Sequence, residues 1–264
     1  VKRKFGFSFL IVLVLLLTQL GSAFADGNSK YLADVSHQKY TTLGDQWWHY
    51  AFSLPEVDFN QFLTSASGEC VHTNQTSELF FLSGFWGAGS ATRTCTVKAG
   101  TLLFFPLINS AWAEQTKYYD RTATPAYVPS NFIKWFDQVF SPANGTTAFA
   151  DLDNSHLVTQ KNQDRFYVTS NSQKAPIYIW PTWVGGSPSI NYQTFNGGYY
   201  VALKLPPRAE PYKLHFGGAV INALSFTTHF GPNSQWVKDG FPSDYTVPFG
   251  AFSQDITYTI KVTR

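Results

Sequence analysis

The segment DITYTIKV (255–262) sets Ile256, Tyr258, Ile260 and Val262 on one face and Asp255, Thr257, Thr259 and Lys261 on the other. A period of two predicts a β-strand with one face in water. A second kind of run, ELFFLSGF (78–85) and TLLFFPLI (101–108), is apolar on both faces. These read as interior strands of a covered sheet, with Pro106 marking a bulge or the strand's end. Further strands are expected at TRTCTV (92–97), SHLVTQ (155–160), RFYVTS (165–170), PIYIW (176–180), YYVALKL (199–205) and YKLHFGG (212–218), separated by Gly, Pro, Asn and Ser. Many short strands at this spacing predict a mainly β fold, a β-sandwich or jelly roll.

Two stretches have helical spacing instead and predict two short helices packed on the strands. SNFIKWFDQVF (130–140) repeats its apolar positions at the period of a helix, with Pro142 just beyond. In LGDQWWHYAFSLP (43–55), Leu43, Trp47, Tyr50 and Leu54 form one apolar stripe and Asp45, His49 and Ser53 lie roughly opposite, with Pro55 ending the helix. Trp48 and Phe52 fall outside the stripe as an i, i+4 aromatic pair. They either pack beneath a second layer or stand exposed as a binding platform.

The first 25 residues follow a different pattern. Lys2, Arg3 and Lys4 precede an apolar run from Phe5 to Leu17, and Ala23, Phe24, Ala25 make a small-x-small cleavage site. This is the form of a secretory signal peptide, and its apolar run is short of the ~20 residues a membrane span needs. The expectation is a signal at 1–25 and a single secreted domain at 26–264, with no membrane insertion once the signal is removed. Val1, in a chain without Met, reads as a non-standard start codon and suggests a bacterial gene. The signal holds three of the 19 basic residues and none of the 17 acidic ones, so 16 face 17 beyond it and the net charge becomes −1. Such a chain lacks the basic footprint that phosphate backbones require, which excludes nucleic acid as a partner.

Cys70 and Cys95 are the only two cysteines. In an exported chain they are expected to pair, restricting the unfolded state by roughly 3.5 kcal/mol, whereas a redox-active pair usually has CxxC spacing.

Several segments together carry a resemblance: WWHYAFSLP (47–55), CTVKAGTLLFFPLIN (95–109), GYYVALKLPP (198–207), LHFGG (214–218) and the terminal DITYTIKV. They are similar to an uncharacterised family of secreted, mostly bacterial proteins, with WWxxAxSLP and AGxxxFFPxIN as the most specific patterns. The resemblance implies secretion and a β-rich domain. It implies no substrate, cofactor or catalytic residue.

Candidate chemistry is sparse. GxSxG, HExxH and Walker patterns are absent, GFWGAGS (84–90) reads as a turn, and DLDN (151–154) lacks the glycine and glutamate of a calcium loop. No metal site and no cofactor is expected. Asp45 and His49, spaced i, i+4, could form an acid/base dyad or merely a surface pair. The polar run after the most apolar strand, read as a loop from Asn109 to Tyr127, brings together Asn109, Trp112, Glu114, Asp120 and Arg121 at one end of the expected core. Glu114 and Asp120 could serve as a glycosidase carboxylate pair. The binding candidates are Trp48, Phe52, Asn109, Trp112, Glu114 and Arg121. The reading favoured is a secreted, non-enzymatic protein that binds carbohydrate or another polar organic ligand. A secreted hydrolase on polysaccharide and an interaction protein with a protein partner are the alternatives.

The signal pattern makes a direct prediction. N-terminal sequencing of exported protein should return Asp26 as the first residue, and an intact VKRK end would contradict it.

Overall fold

The computed structural model describes residues 30–118, 123–124, 129–170, 177–178 and 192–264. In chain order the helices are α1 (His37–Ser53), α2 (Glu56–Leu63), α3 (Pro129–Val139) and α4 (Gln235–Lys238). The strands are β1 (Ser67–Glu69), β2 (Leu79–Phe81), β3 (Gly89–Lys98), β4 (Leu102–Gln115), β5 (Thr147–Leu152), β6 (Ser155–Val158), β7 (Tyr167–Thr169), β8 (Ile177–Tyr178), β9 (Tyr192–Lys204), β10 (Tyr212–Val220), β11 (Leu224–His229), β12 (Asp244–Phe249) and β13 (Phe252–Thr263). The fold is mainly β, as the alternation and the apolar runs predicted.

Two sheets form a sandwich. One runs β1-β3-β13-β10-β5-β6, and the other runs β2-β4-β9-β7 with β8 also paired to β9. The centre of the second sheet is the antiparallel pairing of β4 with β9, from Leu102↔Lys204 to Gln115↔Tyr192. Both strands are apolar on both faces because both faces are covered. Phe105 meets Phe216 of β10 across the sandwich, ring centroids 4.5 Å apart, while Phe104 faces α1 through Tyr40 at 5.9 Å. β13 keeps the expected alternation and pairs in parallel with β3, which the sequence pattern did not indicate. β11 and β12 make a separate hairpin.

The expected interior strand at 78–85 shrinks to three residues, because only Leu79–Phe81 pair with β4 and the chain then turns away. The opposite correction applies after Pro106. The stretch from Asn109 was expected to be a loop, but β4 continues through it to Gln115, since β9 is long enough to pair with every residue there. Its polar side chains are strand residues. Two helices, α2 and α4, were not expected; α2 begins directly after Pro55.

Helix α1 carries the stripe as predicted: Leu43, Trp47, Tyr50 and Leu54 are all buried, and the Trp47 indole donates to the Leu82 carbonyl at 2.8 Å. The exposed-platform reading of Trp48 and Phe52 is overturned. Both are buried, because α2 and the 84–88 turn cover that side of α1 with Phe59 and Trp86. Cys70 and Cys95 form the expected disulfide, tying the end of β1 to β3. No helix among the described residues is long and apolar enough to cross a membrane. The expected signal at 1–25, the GGSPS segment (185–189) and most of PIYIW lie outside the described residues.

Burial of both tryptophans predicts like behaviour. Trp47→Ala and Trp48→Ala should each lower the unfolding free energy by about 3–5 kcal/mol in chemical denaturation. A Trp48→Ala protein as stable as the wild type would show that its ring is not packed as described.

Candidate functional site

Strand parity determines which side chains of β4 reach the site. Phe104 faces α1 and Phe105 faces the other sheet, but the pairing with β9 slips between Pro106 and Ile108. The extra residue, Leu107, inverts the alternation beyond it, so Ile108 faces Gly218 of β10 and Asn109 turns to the α1 side. A β-bulge re-aims side chains in this way. Opposite Asn109 stands Gly198 at φ 153°, where a Cβ would lie 2.6 Å from the Asn109 Cα. Only glycine fits there.

Beyond Phe104, β4 has no strand on its β2 side among the described residues. A cleft of about 410 Å³ opens along this edge, within the ~300–1,000 Å³ usual for small-ligand sites. Its floor is Asn109, Ser110 and Ala111; its walls are Trp47, Trp48 and Leu63, the turn 84–88, and the segment 248–252 with Gln254. Trp86, 45% exposed, stands at the rim on Trp48, Phe52 and Phe59. Among the described residues, no charged side chain lines the cleft.

The turn that makes one wall is pinned from β3 and β13. Gln254 accepts from the Phe85 N–H at 3.2 Å and donates to the Phe85 carbonyl at 2.8 Å, and a Cβ on Gly84 would collide with its amide. Arg93, 1% exposed, donates to the Ser83 hydroxyl, the Gly84 carbonyl, the Tyr258 hydroxyl and, through Nη2, the Ser65 carbonyl. It has no carboxylate in ion-pair range among the described residues. A buried guanidinium with only carbonyls and hydroxyls for partners holds those partners firmly, since releasing them leaves a buried charge unpaired.

The floor is joined to a second buried polar group. Asn109 Nδ2 lies 3.0 Å from the Tyr200 hydroxyl, which lies 2.9 Å from Asn196 Oδ1. Asn196 Nδ2 reaches Asp45 Oδ1 at 2.6 Å and Ser170 Oγ at 2.7 Å, and Ser170 donates to Asp45 at 2.6 Å. Helix α1 comes this close because residue 44 is glycine: a Cβ there would sit 3.2 Å from Asn196 Oδ1. Burial pushes the Asp45 carboxyl up to about 6, against the opposing hydrogen bonds from Ser170 and Asn196. Burial likewise raises Tyr200, opposed by the hydrogen bond from Asn109 and by the nearby Trp48 N–H, with the Asp45 charge adding to the rise. Trp48 Nε1 itself is buried without a hydrogen bond of good geometry.

The sequence candidates thus separate. Asn109 and Trp48 line the cleft, and Phe52 supports its rim from below. Trp112 projects to the other face of β4, stacked on Phe132 of α3 at 5.9 Å. Asp45 turns to Ser170 and Asn196, while His49 lies on the exposed side of α1. The side chain of Glu114 and the residues Asp120 and Arg121 lie outside what is described. Cys70, His72 and Cys95 place ligand atoms within 4.8 Å of one another, but the bonded sulfurs are not the thiolates a metal takes.

Sequence reasoning missed Arg93, Gln254, Asn196 and Trp86. Two of these left a signal. Arg93 shares its inward parity with Ala91, Cys95 and Val97, and Gln254 shares its parity with Ile256 and Tyr258. A polar side chain on the inward parity of a strand must find buried partners. No family model matches the chain, and no curated protein is significantly similar to it.

The raised Asp45 value fixes a pH dependence. The native carboxyl keeps its proton to about pH 6, whereas the unfolded one releases it near pH 4, so the native state binds more protons in between and stability falls as pH rises through that window. Asp45→Asn keeps an acceptor for Asn196 and removes the titration. Denaturant unfolding between about pH 4 and pH 7 should show a flatter profile for the variant, and parallel profiles would refute the assignment.

Proposed function

We propose that the protein is a secreted, non-enzymatic binding protein whose cleft captures an uncharged, hydroxyl-bearing organic ligand, carbohydrate foremost. The observation that carries this reading is the lining. Phe85, Trp86, Phe249 and Phe252 supply ring surface over the buried Trp47 and Trp48, and Asn109 and Ser110 supply hydrogen-bonding groups. Such a mixture suits a sugar, whose C–H faces stack on aromatic rings while its hydroxyls take hydrogen bonds. A charged ligand would lose its hydration there without gaining a counter-charge from the described lining.

Secretion is supported by the signal pattern at 1–25, by the disulfide, which persists in oxidising compartments, and by the resemblance carried by WWHYAFSLP and AGTLLFFPLIN. The hydrolase alternative has no carboxylate in the described lining. A second reading has one observation in its favour: the unpaired edge of β4 borders the cleft, and an extended peptide could add to it as a strand.

A glycan array probed with the 26–264 protein, followed by titration of intrinsic tryptophan fluorescence, tests the proposal. Neutral glycans should bind. Trp86→Ala should weaken binding at least about tenfold while costing about 1 kcal/mol of stability, because its ring is half exposed. Exclusive capture of acidic glycans would overturn the uncharged-ligand reading, and capture of extended peptides alone would favour the strand-addition reading.

A further inference from the structure

The polar chain beneath the cleft has a direction. An ionised carboxylate can only accept hydrogen bonds, so Asn196 must turn its NH₂ toward Asp45 and its Oδ1 toward Tyr200. The Tyr200 hydroxyl owns one proton, which then belongs to Asn196 Oδ1. Its oxygen is left as acceptor and can be met by Asn109 only through Nδ2. Ser170 fits the same direction: it accepts from the Asn196 backbone N–H at 2.9 Å and from Nδ2, and donates to Asp45. With the charge in place, each link has a single solution.

No described group that hydrogen-bonds Asp45 carries a charge. Across from α1 stand Ser170 at the end of β7 and Asn196 and Tyr200 on β9, all uncharged. On its own helix His49 lies on the exposed side. Among the described residues Asp45 makes no ion pair. The opposite end of the chain is Asn109, nine-tenths buried in the cleft floor, whose Oδ1 takes no hydrogen bond from a described residue.

Resting on the reading of the cleft as a ligand site, we propose that Asn109 is its hydrogen-bonding subsite and that the Asp45 carboxylate fixes its polarity through Asn196 and Tyr200. A bound ligand then meets an amide oxygen, and the matching group is a hydroxyl donor. Asn109 is the recognition residue, and Asp45, Asn196 and Tyr200 are positioning residues. An ether or deoxy analogue at that point leaves the amide oxygen unpaired in a buried floor and is rejected.

The orientation can be tested without ligand, by the side-chain amide NMR signals of Asn109 in the 26–264 protein. Between about pH 4 and about pH 8 they should move in step with the Asp45 carboxyl carbon. Asp45→Asn should abolish the movement, and Tyr200→Phe should abolish it while Asp45 still titrates. Asn109 signals that stay still while Asp45 titrates, or that move equally in Tyr200→Phe, would overturn the relay; if the phenylalanine variant fails to fold, Asn196→Ala, which cuts the chain one link nearer Asp45, applies the same criterion. The ligand arm uses maltotriose and cellotriose as probes. Binding that falls about tenfold in Asn109→Leu supports the subsite, and unchanged binding refutes it. If neither sugar binds, the carbohydrate reading and the subsite role fall together, while the amide titration still decides the relay independently.

Discussion

The pairing of β4 with β9 is the interaction on which the rest depends. It joins thirteen partnered positions through the middle of the protein, with the six-stranded sheet and α3 on one face and α1 on the other. A strand buried on both faces cannot alternate polar and apolar residues, which is why LLFFPLI and YYVALKL read as continuous apolar runs. The same burial makes the register rigid, because a slip by one residue would exchange the two faces. The single slip that does occur, at Leu107, is therefore consequential: it hands Asn109 to the α1 side and Ile108 to the interior of the sandwich.

One buried charge and one partly buried charge share an unusual property. Arg93 and Asp45 both lack an ion-pair partner among the described residues, and each is answered by neutral donors or acceptors. Neutral partners compensate a charge less completely than a counter-charge does, so these arrangements cost stability. They also gain order. Arg93 gathers the carbonyls of Ser65 and Gly84 and the hydroxyls of Ser83 and Tyr258, which fixes the turn that walls the cleft. Asp45 aligns Ser170, Asn196 and Tyr200, which fixes the floor. A cleft held this way would lose little conformational freedom on taking up a ligand.

The cleft also brings together stretches that are far apart in the chain. The tryptophans of WWHYAFSLP and the asparagine that ends AGTLLFFPLIN line the same opening, joined there by Trp86 and by the chain between β12 and β13. The aromatic doublet in α1 therefore has a divided use. Trp47 is packed into the core by its stripe and its bond to Leu82, and Trp48 spans from the buried Tyr200 hydroxyl to the cleft wall under Trp86.

What the sequence determined by itself was everything that follows from local period and covalent chemistry. The strands 92–97, 199–205, 212–218 and 255–262, the helical stripe of Leu43, Trp47, Tyr50 and Leu54, and the pairing of Cys70 with Cys95 were all legible, because burial of one face or of both leaves its period in the residues that must be apolar. What only the tertiary structure decided was which neighbour covers a surface. Trp48 and Phe52 lie off the stripe whether α2 covers them or not, and a polar stretch such as 109–115 becomes strand only because β9 extends far enough to pair with it. Even the direction in which Asn109 points depends on one inserted residue between strands nearly a hundred positions apart, an interaction that no local pattern records.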